Sequence, residues 1–110
     1  MYFTYILKCT DNTLYTGICT DVERRMKEHF SKNSKCAKYT KFHDAYKLEA
    51  VWESENRVLA SKLEFRIKQL TRKQKEELII KNNLQKFFQN KIETENYKRI
   101  EISTKKNKFP

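Results

Sequence analysis

Two short hydrophobic runs, separated by a polar segment, dominate the first part of the chain. The runs YFTYILKC (2–9) and LYTGIC (14–19) are rich in β-branched and aromatic residues, and the segment TDNT lies between them. This pattern is typical of an antiparallel β-hairpin. The first run is apolar on both faces through Tyr5, Ile6 and Leu7, so we predict that it is a covered, central strand.

A helical pattern begins directly after the hairpin. Apolar residues recur at every fourth position and predict a single apolar stripe: Val22, Met26 and Phe30. Thr20 and Glu23 have the spacing of a capping box, so we predict that Thr20 caps this helix. Arg25 and His29 are also four residues apart, and we therefore expect their side chains on one shared face beside the stripe.

A loop and a third strand follow the helix. Residues 31–45 carry several lysines without a clear period, which predicts a basic surface loop. The segment YKLEAVWE (46–53) alternates well enough to predict a strand that directs Leu48 and either Val51 or Trp52 toward the core.

Two adjoining helices and a basic tail complete the pattern. Leucines and one isoleucine lie at helical spacing in residues 56–70, and Thr71 with Gln74 forms a capping box for a further helix. The last residues carry scattered apolar anchors in a basic background. We therefore predict one domain over 1–81, followed by a basic C-terminal extension over 82–110.

The charge balance of the chain indicates a polyanionic partner. It has 24 Lys and Arg against 14 Asp and Glu, a formal charge of +10 and an isoelectric point near 9.6. Nucleic acid is the leading candidate for such a partner. A lysine-rich chain from an A+T-rich genome would show a similar charge without any such ligand, and that alternative stays open.

The cysteines and the N-terminus predict a cytoplasmic protein without a membrane anchor. Cys9, Cys19 and Cys36 are odd in number and have no CxxC spacing, so they indicate neither a disulfide framework nor a zinc ribbon. The apolar run at the N-terminus is too short for a signal peptide or a membrane span.

Gly17 is the only glycine in the chain, and it lies inside the second predicted strand. A glycine at such a position marks either a bulge or a place where another backbone or a ligand approaches closely. Both interpretations remain open from this residue alone.

The order of elements and the spacing of their polar residues resemble the GIY-YIG endonuclease domain, in particular small stand-alone URI-like proteins of the UPF0213 type. The matching runs are YILKCTDNTLYTGICTDVERRMKEH and SKLEFRIKQLTRKQKEEL, and the resemblance covers roughly residues 2–81. It implies a mixed fold, α/β in the broad sense and α+β in the strict one, with a three-stranded antiparallel sheet flanked by helices.

The resemblance also implies a set of site residues. The catalytic residues would be Tyr5, Tyr15, Arg25, His29 and Glu64, with Glu64 as the single carboxylate that binds a divalent cation, Mg²⁺ or Mn²⁺. Gly17 would be the structural glycine of the second motif, YTG. In the first motif, Phe3, Thr4 and Tyr5, only the tyrosine is of the usual type, and Phe3 replaces a usual glycine. Ile18 stands where some members carry lysine.

These residue types suit phosphodiester hydrolysis, which needs a nucleophilic water, neutralised phosphate oxygens and help for the leaving oxygen. Arg25 offers a permanently charged planar fork for phosphate. Glu64 could hold Mg²⁺ together with water and substrate oxygens. The alternative for Glu64 is a surface ion pair with Lys68, four residues later.

Either Tyr5 or Tyr15 is the candidate general base. An ordinary phenol has a pKa near 10, so this role requires the pKa to be lowered, and His29 could accept the proton. The two phenols share a face of the hairpin only if its loop has an odd number of residues or contains a bulge, because side chains alternate along a strand.

The predicted function is metal-dependent hydrolysis of DNA, either single-stranded or structured duplex. The lysines expected to contact DNA phosphates are Lys35, Lys38, Lys41, Lys68 and Lys73. One alternative is a nucleic-acid-binding module that keeps the fold without the chemistry. Another is a protein-interaction domain whose extension recruits a partner.

Overall fold

Four antiparallel strands form one sheet in the computed structural model, which describes residues 1–31 and 43–102. They are β1 (Tyr2–Cys9), β2 (Leu14–Cys19), β3 (Ala45–Ser54) and β4 (Lys98–Ile100). Their order in the sheet is β2-β1-β3-β4, so β1 is hydrogen-bonded on both sides. The predicted α+β fold, its antiparallel sheet and the central position of the first strand are confirmed.

The sheet has one strand more than the sequence predicted. β4 pairs with β3 and places Ile100 opposite Val51. Its three residues, KRI, are too few to show an alternating pattern, so only the paired neighbour reveals the strand. Just before β4, Tyr97 donates a hydrogen bond of 2.6 Å to the carbonyl oxygen of Leu59, which ties this segment to the domain.

The helices of the described segments pack on the sheet. They are α1 (Val22–Ser31), α2 (Arg57–Lys68), α3 (Arg72–Lys81) and the short α4 (Leu84–Phe88). The predicted capping box of Thr71 and Gln74 is present at the start of α3. The predicted cap of α1 is wrong, because the carboxylate of Asp21, not Thr20, accepts the N–H of Arg24 at 3.1 Å. Both residue types are good caps, and the helix begins one residue later than the box required.

The two faces of the sheet carry separate cores. Successive side chains of a strand point to opposite faces, so Ile6 lies in one core while Tyr5 and Leu7 lie in the other. The first core contains residues of β1, β3, α2, α3, α4 and the segment before β4: Ile6, Ala50, Trp52, Leu63, Ile67, Leu78, Leu84, Phe88 and Tyr97. The second packs beneath α1: Tyr5, Leu7, Cys19, Met26, Leu48 and Val51. Coverage on both faces explains why three successive residues of β1, Tyr5, Ile6 and Leu7, are apolar.

Candidate active site

The hairpin brings its two phenols onto the same face of the sheet. Tyr5 pairs with Gly17 and Leu7 with Tyr15, and a hydrogen bond of 2.9 Å from Cys9 N–H to the Thr13 carbonyl closes the turn. The loop between that last pair, 10–12, has three residues, an odd number. The odd loop length that a shared face requires is therefore present, and the centroids of the two phenol rings lie 6.2 Å apart.

Gly17 is required by the ring of Tyr5. A Cβ atom at position 17 would lie 2.6 Å from the Tyr5 hydroxyl oxygen, 2.8 Å from its Cζ and 3.1 Å from the ring of Tyr15. Contacts shorter than 3 Å force a shift of the neighbour, and here the neighbour is packed in the core. The close approach comes from a side chain of the opposite strand, and the register between β1 and β2 passes through Gly17 without a bulge.

Helix α1 contributes a histidine beneath the phenols. His29 is fully buried, and its Nε2 lies 2.7 Å from the Tyr5 hydroxyl oxygen. The His29 ring packs edge-on against both phenols, with centroids 5.7 Å from Tyr5 and 5.6 Å from Tyr15. These three rings form a compact triangle that joins β1, β2 and α1.

Arg25 is one turn before His29 and connects the two phenols. Its guanidinium forms a 2.7 Å ion pair with Glu28, and it also lowers the pKa of Tyr5 and of Tyr15 against the larger effect of burial. The Arg25 side chain keeps 21% of its surface exposed.

The electrostatics of the free protein hold the cluster in its neutral forms, apart from Arg25 and Glu28. Burial raises the pKa of Tyr5, and the nearby Tyr15 adds to that rise. Burial also raises the pKa of Tyr15, although Lys68 and Arg25 act in the opposite direction. Burial, aided by the charge of Arg25, lowers the pKa of His29 to about 4.

The lowered phenol pKa that the proposed base requires is therefore not a property of the free protein. Burial outweighs the cations that favour the phenolate.

Glu64 and Lys68, one turn apart on α2, both act on Tyr15. The charge of Glu64 raises the pKa of Tyr15 and that of Lys68 lowers it, which places both side chains in its neighbourhood. Lys68 Nζ lies 3.3 Å from Glu64 Oε2, so the ion pair weighed as the alternative for Glu64 is present. The Glu64 side chain is 24% exposed and remains accessible to a competing cation.

The chemistry of this donor set fits a weakly held hard cation. Glu64 offers oxygen ligands at a partly exposed position, and Mg²⁺ is commonly held by one or two carboxylates, waters and substrate phosphates. Within residues 1–31 and 43–102, no three His, Cys, Asp or Glu side chains come together as a preformed metal cluster.

The predicted DNA-binding lysines fall into three groups. Lys68 lies beside Glu64 with 52% of its side chain exposed. Lys73 is exposed in the first turn of α3, where its charge acts on Glu77 rather than on the phenols. Lys35, Lys38 and Lys41 lie outside the described residues.

Glu28 belongs to this cluster, although it was not among the predicted site residues. Its carboxylate is the ion-pair partner of Arg25, and only 14% of its side chain is exposed. The i,i+3 spacing on α1 was the available signal, since residues three apart face each other on a helix.

The GIY-YIG catalytic domain family matches residues 1–77 of this chain. The chain therefore belongs to the GIY-YIG family, and its fold is of the nuclease type. No helix in the described ranges has the length and apolar character needed to cross a membrane.

Its relatives include proteins of the UPF0213 group. UPF0213 protein FN1575 of Fusobacterium nucleatum is 42% identical over 80 residues, which cover 73% of this chain and 78% of that protein. UPF0213 protein YhbQ of Escherichia coli is 44% identical over 78 residues, covering 71% and 76%. The solution NMR structure of UPF0213 protein BH0048 from Bacillus halodurans is 39% identical, covers 76% of this chain and 88% of that one, and gives a TM-score of 0.47. The names of these relatives state no activity.

Proposed function

We propose that this chain is a metal-dependent endonuclease that hydrolyses DNA phosphodiester bonds, with DNA repair or recombination as its setting. The observation that carries the proposal is the convergence of Tyr5, Tyr15, Arg25 and His29, with Glu64 near Tyr15. A nuclease-type family supplies the reaction class, and the cluster supplies suitable groups.

Arg25 binds the scissile phosphate. Its guanidinium is a planar, permanently charged fork that matches the geometry of phosphate, and 21% of the Arg25 side chain is exposed. Donors held in place by neighbours stabilise developing charge without reorganisation during the reaction. Glu28 and Tyr5 thus keep the fork in position before substrate arrives.

Tyr15 is the general base in this proposal, and Tyr5 supports it. Tyr5 is fully buried, whereas Tyr15 is half-buried and closer to solvent, so an attacking water can reach only the second phenol. Arg25 and Lys68 favour the phenolate of Tyr15. Tyr5 and neutral His29 form a hydrogen-bonded pair beneath Tyr15. This pair holds Arg25 in position, and His29 can accept a proton at Nε2.

Glu64 would hold the divalent cation. When bound, such a cation polarises the phosphate and neutralises charge on the leaving oxygen. Glu64 must first leave Lys68, because the two are ion-paired in the free protein. The released lysine is then available for a neighbouring phosphate.

The test is a cleavage assay on labelled single-stranded, duplex and branched DNA, with Mg²⁺, with Mn²⁺ and with chelator. We expect metal-dependent cuts by the native protein, lost in Arg25→Ala and retained in Arg24→Ala, an exposed arginine on the same helix. Cuts that survive Arg25→Ala or chelation would contradict the proposal.

A non-catalytic nucleic-acid-binding module is the second candidate. It is favoured by the resting electrostatics, in which Arg25 is paired with Glu28, Glu64 with Lys68, and both phenols have raised pKa values. Salt-sensitive DNA binding without cleavage under any metal condition would support this candidate instead.

A further inference from the structure

Phe65 is a large apolar side chain left exposed beside the candidate active site. It lies on α2, directly after Glu64, and 56% of its surface is accessible. An aromatic ring in this position adds little to the folded core, because its apolar area stays in water. The ring is therefore available for an external contact.

Basic residues flank Phe65 along α2. The guanidinium carbon of Arg66 lies 5.4 Å from the Phe65 ring centroid. Lys62 and Lys68 are three residues before and after Phe65, a spacing that puts side chains side by side on a helix. Glu64, already paired with Lys68, is the only acidic residue of α2.

The same cations connect Phe65 to the active site. Lys68 faces Glu64 at 3.3 Å and acts on Tyr15, and Phe65 is three residues from Lys68 on the helix. Side chains at that spacing are about 5 to 6 Å apart. A strand whose phosphate lies at Arg25 and Tyr15 can thus continue across Lys68 to Phe65.

The exposed surface around Phe65 suits a nucleobase better than a protein partner. Its exposed apolar part consists of Phe65 and Val58, seven residues apart on one stripe. A stable protein interface needs about 800 Å² on each side, far more than two side chains supply. Single-stranded nucleic acids, in contrast, bind to isolated aromatic rings set among cations that follow the phosphates.

We propose that Phe65 is a stacking platform for an unpaired base of the substrate, adjacent to the scissile phosphate, with Lys62, Arg66 and Lys68 contacting the flanking phosphates. This inference rests on the proposed function for its placement next to the cleaved bond. It requires a substrate in which at least one nucleotide beside that bond is unpaired, since a base inside a duplex cannot stack on the ring.

The test measures binding without cleavage. Fluorescence anisotropy of a labelled oligothymidylate and of a labelled duplex is recorded in chelator at fixed salt, for native protein, Phe65→Ala and Phe65→Trp. We expect Phe65→Ala to weaken single-strand binding about 5- to 150-fold, the effect of losing one stacked base, and to leave duplex binding within about twofold. Phe65→Trp should retain single-strand affinity, and its added indole emission should be quenched on binding.

Two controls make the effect specific. Ile80→Ala removes another exposed apolar side chain, 80% accessible and on α3, and should leave binding unchanged. An oligonucleotide with abasic sites should bind the native protein more weakly than the intact oligothymidylate does. The native protein and Phe65→Ala should bind this abasic oligonucleotide with equal affinity.

Three results would overturn the inference. They are equal single-strand affinity of Phe65→Ala and native protein, equal weakening for single strand and duplex, or a change in self-association by Phe65→Ala without a change in DNA binding. If native protein never cleaves DNA while the base-dependent effect of Phe65 persists, the stacking platform stands and the endonuclease proposal fails.

Discussion

The two faces of β1 hold different kinds of interior. On one face, Ile6 lies in an apolar core with Trp52, Leu63 and Phe88. On the other, Tyr5 is equally buried but hydrogen-bonded to His29, in contact with Arg25. Buried polar groups are costly unless they are satisfied, so the first face stabilises the fold and the second fixes a set of reactive groups.

The comparison also shows how one strand serves both purposes. Residues on either side of a strand alternate, so a single register decides which side chains enter which interior. Gly17 maintains that register on the polar face by leaving room for the Tyr5 ring. Substitutions on the polar face should therefore change chemistry first, and substitutions on the apolar face should change stability first.

The largest effect is expected from Tyr15→Phe. Removal of the hydroxyl should lower kcat for metal-dependent DNA cleavage by about 10²- to 10⁴-fold, the usual contribution of a general base. In the native protein, kcat/KM should rise with pH through the neutral range, because burial raises the pKa of Tyr15 and the phenolate forms only at higher pH. A pH–rate profile checks this, and full activity of Tyr15→Phe would refute the assignment.

Leu63→Ala addresses the apolar face. Leu63 is fully buried between α2 and the sheet, so its truncation should lower the free energy of unfolding by about 2 to 5 kcal/mol. Denaturant unfolding measures this loss, and Ile80→Ala, at an exposed position, should stay within about 0.5 kcal/mol of the native value. The cleavage rate per folded molecule should be unchanged in Leu63→Ala. A lower rate per folded molecule would contradict the assignment of stability to one face and chemistry to the other.

His29→Gln should change how stability depends on pH. The pKa of His29 is about 4 in the folded protein, below the ordinary 6.5, so the unfolded chain binds the proton first as the pH falls. The native protein should therefore lose about 2 kcal/mol between pH 7 and pH 5 from this group. Unfolding experiments across that range should show a smaller loss in His29→Gln than in the native protein. Equal slopes for the two proteins would contradict the burial of a neutral imidazole.

The smallest effect is expected from Tyr97→Phe. Its hydroxyl donates to the Leu59 carbonyl at 2.6 Å, and loss of this bond should cost about 1 kcal/mol. Chemical denaturation measures the change. A cost near zero would indicate that the segment before β4 contributes apolar burial alone.

Much of the architecture follows from the pattern of the sequence because it depends on local periodicity. The hairpin, the covered β1 and the capping box of Thr71 are local features of this kind. β4 was not predicted because three residues are too few to show an alternating pattern. The N-cap of α1 was predicted one residue too early because Thr20 and Asp21 are both good N-cap residues.

The site was predictable only in part. The spacing of Arg25 and His29 on one helix predicts that their side chains lie together. The contact between His29 and Tyr5, in contrast, depends on packing between α1 and the sheet. The shared face of Tyr5 and Tyr15 depends on the loop length, and the raised phenol pKa values depend on burial. These are tertiary properties that residue spacing does not contain.

The most direct test of the account is the cleavage of labelled DNA by Glu64→Gln across a titration of Mn²⁺, beside Glu76→Gln. Glu76 is the matched control, since it is an exposed acid with its own i,i+4 partner, Arg72. The account predicts that Glu64→Gln loses cleavage by about 10²-fold or more at every metal concentration, while Glu76→Gln cleaves like the native protein. Native rates in Glu64→Gln would show that this carboxylate is only the surface partner of Lys68.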